Sequence, residues 1–362
     1  MNDINQLLFG LLRSAFRGEA FTAVPSEKEW VRLYKMVRQQ SLTGVVYQVV
    51  NQLETAQKPP VDLLMRWMGV SQTIRGLNQM LCQEAARLTK EFSQKGYRTA
   101  ILKGQANARL YPDPQTRQPG DIDLWVEGGR KSVMALVGAT NTLSNHHVRL
   151  QPAEQGITVE IHFRPSSGNN NPITNRRLQK YLEQEIRNTT LVDEGFYVPS
   201  GKFALLMQLS HIQKHFLSDG VGLRQICDYY WLLNHATAEE RVEVTALLHR
   251  FGLHHTAGAL MWVLVEILHM DRKQVICPMD SYRGEWMLSE VMSGGNFGHY
   301  AERLKTDSDL TFFLRKVKHQ MKMMSFAPGE TIWLEVHYVK GLFKRIPERI
   351  RHGRLSLRDF PE

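Results

Sequence analysis

At 362 residues the chain is long enough for two or three domains, each with its own core. Its 43% hydrophobic and 22% charged residues are ordinary for a globular protein and exclude extended disorder. The net charge of +9 is concentrated near the C-terminus, where residues 313–358 carry eleven Lys/Arg against three acids.

No apolar run approaches the roughly 20 residues that span a bilayer, so no transmembrane segment is expected. The first five residues lack a basic segment ahead of an apolar one, so no secretory signal is expected either. Cys82, Cys227 and Cys277 are few, odd in number and far apart, which argues against a disulfide framework or a cysteine zinc site. A reducing, cytoplasmic location follows as the expectation.

Residues 1–95 read as an N-terminal helical region. Ile4, Leu7, Leu8, Leu11 and Leu12 recur at helical spacing. Ser26 and Glu29 form a capping box that predicts a helix to about Gln52. After Pro59-Pro60, an apolar stripe from Leu64 to Leu88 predicts one long amphipathic helix ending near Gly96.

Residues 96–199 read as a core with strands. Arg98 to Leu102 is a short strand ending at Lys103-Gly104, and Gln105 to Leu110 is a helical turn or two. Gly104 would let backbone N–H groups approach a phosphate. Pro112, Pro114 and Pro119 make 111–120 a loop. Arg117 within it is either solvated or a phosphate contact, since guanidinium matches phosphate geometry.

Ile122, Leu124 and Val126 alternate with Asp121, Asp123 and Trp125, which predicts a strand. Residues two apart share a face, so the two carboxylates stand about 7 Å apart at their backbones. Such neighbours repel unless a cation lies between them, and the residue types suit Mg²⁺. Residues 157–163 alternate likewise, with Val159, Ile161 and Phe163 on one face and Glu160, His162 and Arg164 on the other. If the two strands are neighbours, Glu160 completes a three-carboxylate cluster able to hold two metals. Lys131 to Val137 is expected as a helix, His147 to Leu150 as a strand, and 166–172 as a closing loop.

Residues 200–362 read as a C-terminal helical domain with a basic tail. Leu178 to Ile186 is a helix leading into it, and Ser200 caps the next, which carries His211, Lys214 and His215. His211-x-x-x-His215 puts two imidazoles on one face, as in a zinc site, but no third ligand follows in sequence. The stronger reading sends one of these side chains, or Lys214, to bound phosphates or a domain boundary. Arg224 and Asp228 are expected as an i,i+4 pair, chiefly supporting. His254-His255 lies between helices without an assigned role. Val336, Val339, Leu342, Phe343 and Ile346 form a stripe flanked by Lys340, Lys344, Arg345, Arg349 and Arg351, and Pro347 is expected to bend or end that helix. This basic segment either contacts RNA or a membrane surface, or docks on the helical domain with its charges in water.

Leu102-Lys103-Gly104, Tyr111-Pro112, Arg117, Asp121-Ile122-Asp123 and Val159-Glu160-Ile161-His162 together resemble the uncharacterised nucleotidyltransferase family of the polymerase-β-like superfamily. They are also similar to the abortive-infection nucleotidyltransferase toxins. The resemblance covers about 65 residues closely. It implies an α+β fold, a small mixed-sheet nucleotidyltransferase core flanked by helical regions. It further implies that Asp121, Asp123 and Glu160 bind two Mg²⁺ ions (or Mn²⁺) and are catalytic, with the Gly104 turn facing an NTP. Lys103, Gly104, Gln105, Arg117 and Lys214 are the expected nucleotide contacts, with His162, His211, His215, Arg224 and Asp228 behind them. His162 is either a general base or a hydrogen-bonded histidine. Where the superfamily carries Gly-Ser or Gly-Gly, this chain has Gly104-Gln105, so no hydroxyl is available there.

The expected activity is transfer of an NMP from an NTP to an RNA, protein, sugar or small-molecule acceptor. One alternative is a catalytically inactive protein of the same fold that binds RNA or a protein partner. Another is a metal-dependent glycosyltransferase using Asp-x-Asp, which ranks lower because no Gly-rich strand–helix turn precedes the motif.

Overall fold

The computed structural model describes residues 3–137, 142–150, 156–295 and 309–352. Three helices open the chain: α1 (Asp3–Arg17), α2 (Glu27–Gln39) and α3 (Thr43–Gln52). The Ser26–Glu29 capping box starts α2, with the Ser26 N–H donating to Glu29 Oε2 at 2.7 Å. The single helix expected to run to Gln52 is broken, and Ser41 at the break has φ 56°. The cause is tertiary. The Gln40 amide is buried, donates to the Val291 carbonyl at 2.9 Å and accepts from the Leu223 N–H at 2.8 Å. These two distant partners hold Gln40 at the turn and redirect the chain.

Gly44 in α3 lies against the Thr116 carbonyl, so closely that a Cβ there would collide with it. Gly44→Ala is therefore expected to cost about 1–3 kcal/mol, read as a lower urea midpoint at unchanged slope.

A single helix, α4 (Val61–Gln94), follows and leads through Gly96, at φ 82°, into the sheet. The elements there are β1 (Thr99–Ile101), α5 (Gln105–Ala108), β2 (Ile122–Val126), α6 (Gly129–Val137), β3 (Thr142–Leu143), β4 (His147–Arg149) and β5 (Val159–His162). The sheet order is β1-β2-β5-β4-β3; β2 and β5 are parallel and the other pairs antiparallel. Register sets Asp123 beside Glu160 and Trp125 beside His162. Because side chains alternate, Ile122, Leu124, Val126, Val159 and Ile161 share the opposite face. They pack with Leu81, Ala85, Leu88 and Phe92 of α4 in one apolar cluster. One face is thus sealed by a helix, and the other carries the acids.

The remaining elements are α7 (Pro172–Glu185), β6 (Thr189–Leu191), β7 (Tyr197–Pro199), α8 (Gly201–Leu217), α9 (Leu223–His235), α10 (Ala238–Leu247), α11 (His254–Trp262), α12 (Ser281–Gly294), α13 (Asp309–Phe326) and α14 (Pro328–His352). α7 starts six residues before the expected Leu178, because Asn171 caps it by accepting from the Ile173 N–H at 2.9 Å and Pro172 suits the first helical position. His254 opens α11 rather than lying between helices, and stacks on His249 with ring centroids 4.1 Å apart. α14 continues across Pro347 to His352 instead of ending there. The side chains of Lys344, Arg345, Arg349 and Arg351 lie outside the described residues.

The N-terminal and C-terminal helices share one apolar cluster, in which Leu8, Phe9, Trp30 and Leu33 join Phe203, Tyr229, Leu260 and Val291. Ala100, Leu102 and Trp125 of the sheet belong to that same cluster. The protein is therefore α+β, a small mixed sheet between α4 and a bundle of helices. No helix among the described residues is long and apolar enough to cross a membrane.

Candidate functional site

Where the acid-bearing face of the sheet meets α8 and α9, a cleft of about 560 Å³ opens to solvent. Asp121, at the head of β2, and Asp123 and Glu160, on adjacent strands, all line it. Gly104 borders the same space. Its φ of 64° and its approach to the Asp121 carbonyl, 3.2 Å from where a Cβ would sit, make glycine the residue that lets this turn run against the head of β2.

Asp123 is buried, with only 1% of its surface exposed. Its Oδ1 accepts from His162 Nε2 at 2.9 Å and pairs with Lys103 Nζ at 3.2 Å, while Oδ2 is buried with no hydrogen-bond partner among the described residues. Arg149 donates to Glu160 Oε1 at 2.8 Å. Glu160 Oε2 faces His147 Nδ1 at 3.4 Å and His162 Nε2 at 3.7 Å. Donor atoms of Asp123, Glu160 and His162 all lie within 4.8 Å of one another, close enough for one cation. That trio does not include Asp121, whose carboxylate opens on the same cleft.

The electrostatics follow from this packing. Asp123's negative charge, followed by burial, raises the pKa of Asp121. Burial would raise Asp123 too, but Lys103 and His162 outweigh it and hold Asp123 below the usual carboxylate range. Burial likewise opposes ionisation of Glu160, yet hydrogen bonds from His162 and Arg149 bring it down to about 2. His162 loses basicity by burial and regains more from Asp123 and Glu160, so its pKa is raised and it keeps a proton more readily than free histidine. Lys103 is raised for the same reason, by Asp123, Asp121 and Glu160 against burial.

Other expected site residues fall in different places. Gln105 is turned away from the cleft: it begins α5 and its side chain lines a separate cavity with Arg75, Asn78, Cys82 and Arg109. Arg117 is not a solvated loop residue. It is buried, and its Nε and Nη2 donate to the two oxygens of Asp228 at 2.7 Å each. The Tyr111 hydroxyl adds a bond to Asp228 Oδ1 at 2.8 Å. This pair ties α9 to the loop before β2, and the charge of Arg224 adds to that of Arg117 at the Asp228 carboxylate. Arg224 donates to the Gln118 carbonyl at 3.3 Å and borders the cleft.

His211, Lys214 and His215 of α8 line the opposite wall. Lys214 Nζ donates to the Ser167 carbonyl at 3.3 Å, and His215 Nδ1 lies 3.0 Å from Asp219 Oδ2. Burial, followed by the charge of Lys103, pushes His211 well below its ordinary pKa, and burial lowers Lys214. Among the described residues, neither His211 nor His215 belongs to a three-ligand metal cluster.

Sequence reasoning gave no role to His146 and His147, which also line the cleft. The signal was there: two consecutive histidines at the head of the strand that pairs with the Glu160 strand. The reciprocal amide pair of Asn107 and Gln208, at 2.8 and 2.7 Å, was missed as well; it joins α5 to α8 across the cleft.

Residues 26–269 match the family described as uncharacterised nucleotidyltransferase. Among solved structures, an antigenic nucleotidyltransferase-like protein from Paracoccidioides brasiliensis is similar at 12% identity and a TM-score of 0.29. That match covers 57% of this chain and 96% of the other. No curated protein matches.

Proposed function

The chain belongs to the uncharacterised nucleotidyltransferase family, and we propose that it is a magnesium-dependent enzyme moving an NMP from an NTP to a hydroxyl or phosphate acceptor. The observation that carries this reading is the convergence of Asp121, Asp123 and Glu160 on one open cleft that Lys103, Lys214 and Arg224 also line. Asp121, Asp123 and Glu160 would hold the magnesium. Asp123 Oδ2, without a hydrogen-bond partner among the described residues, and the like-charge strain on Asp121 fit a cation held between the carboxylates. Bound magnesium supplies a lowered acceptor pKa and charge neutralisation at the leaving pyrophosphate.

The protein's own groups do the positioning. Lys103, paired to Asp123, stands where it can turn to a phosphate oxygen, and Arg224 and Lys214 add positive charge around the cleft. Arg117, committed to Asp228, orients the Pro119-Gly120-Asp121 approach instead of meeting the nucleotide. His162 Nε2, 2.9 Å from Asp123 Oδ1 and 3.7 Å from Glu160 Oε2, helps aim both carboxylates into the cleft.

A second reading, an inactive protein of the same fold, draws on one observation: Asp123 and Glu160 already have basic partners. Incubation with each α-labelled NTP and Mg²⁺ separates the two. The enzyme labels itself, RNA or a component of cell extract; the inactive protein labels nothing and binds no Mg²⁺–NTP in calorimetry.

A further inference from the structure

Strands β4 and β5 gather three imidazoles at the edge of the acidic site, and the turn from β3 into β4 is built to hold two of them. Ser144 Oγ accepts from the N–H groups of His146 and His147 at 3.3 and 3.1 Å. The Ser144 N–H donates to the His147 carbonyl at 2.9 Å. Phe163 and Arg164 both donate their N–H to the His146 carbonyl, at 3.1 and 3.3 Å. The backbone of this turn is thereby held from both sides.

The side chains converge on one point. His147 Nδ1 lies 3.1 Å from His146 Nε2 and 3.4 Å from Glu160 Oε2, and His162 Nε2 lies 3.7 Å from that same oxygen. Donor nitrogens of His146, His147 and His162 all fall within 4.8 Å of one another. A zinc ion with ligands at about 2.0–2.1 Å in tetrahedral geometry needs its donors about 3.3–3.4 Å apart. The 3.1, 3.4 and 3.7 Å spacings bracket that value.

The outer atoms of these groups are held too. His146 Nδ1 sits 3.4 Å from Ser144 Oγ, which directs Nε2 inward, and Arg149 occupies Glu160 Oε1, which leaves Oε2 to the rings. Outer partners of this kind orient metal ligands.

We propose that His146, His147 and His162, with Glu160 Oε2 as the fourth donor, form a binding site for Zn²⁺ or a transition-metal ion of similar chemistry. Imidazole suits such ions, whereas magnesium prefers carboxylate, carbonyl and water. This site requires neither nucleotide binding nor transfer; it shares Glu160 with the magnesium carboxylates proposed above and adds three imidazoles that they do not use.

The test is titration of chelator-treated, full-length protein with Co²⁺ in excess Mg²⁺, followed by visible spectroscopy. The expected result is one equivalent of four-coordinate Co²⁺, displaced by Zn²⁺ and indifferent to Mg²⁺. His146→Gln and His147→Gln each abolish the spectrum, Ser144→Ala weakens binding by roughly 10–100-fold, and Asp121→Asn retains it. Circular dichroism verifies that each variant is folded. A wild-type protein that takes up no stoichiometric Co²⁺ overturns the proposal whatever the variants do. So does a spectrum that survives both histidine substitutions, or one lost in Asp121→Asn, which would put the ion among the carboxylates. An intact Co²⁺ spectrum in a protein that transfers no NMP would instead sink the nucleotidyltransferase reading alone.

Discussion

Asp121→Asn is expected to lower NMP transfer by about a thousandfold while raising the melting temperature of the metal-free protein. The loss corresponds to about 4 kcal/mol of transition-state charge stabilisation, on the scale of a metal-ion contribution. The gain in stability has a separate cause. Asp121 is disfavoured as an anion mainly because Asp123 lies beside it. Its folded pKa is raised, so ionisation costs stability at every pH above the ordinary carboxylate value. The neutral amide removes that cost. Asp123→Asn is expected to lose transfer likewise but to lower the melting temperature, because Lys103 and His162 would keep their charges and lose their shared partner. Scanning calorimetry in chelator, with a label-transfer assay in Mg²⁺, reads both effects. Equal melting shifts in the two variants would contradict this electrostatic picture. Wild-type turnover in either variant would remove its carboxylate from the proposed site.

The second large effect is expected at a distance from the acids. Arg117→Ala should destabilise the protein by about 3–5 kcal/mol, because it leaves Asp228 charged and buried without its bidentate partner. Asp228→Ala should cost a comparable amount, and the double variant much less than the sum, since the two side chains act as one unit. Urea unfolding of the cycle measures this; simple additivity would mean that the pair contributes nothing as a pair. The pH dependence has a definite sign. Burial pushes Asp228 up, but Arg117 outweighs it, so the folded pKa lies below the ordinary carboxylate value. Its contribution is complete above that value, about 3.9, and is lost as pH falls through the folded pKa. The acid limb of the stability curve should therefore be shallower in Asp228→Ala than in wild type.

These two predictions draw on different kinds of information. Alternation along 120–126 and 157–163 sufficed to set Asp121 with Asp123, and Glu160 with His162, each pair on one strand face, because side-chain direction in a strand is local backbone geometry. The Ser26–Glu29 box and the apolar stripe of α4 were readable for the same reason: each is a relation between residues a few positions apart. Only the tertiary structure decided that β2 and β5 lie side by side in parallel, in the register that sets Asp123 beside Glu160. Gln40 breaks the second helix through partners beyond position 220, Arg117 reaches across 111 positions to Asp228, and Gln105 faces away from its neighbour Gly104's cleft. His146 and His147 take on meaning only once the hairpin sets them against Glu160 and His162. Hydrogen-bond and ion-pair partners are selected by desolvation and packing among groups distant in the chain, and no local period encodes that choice.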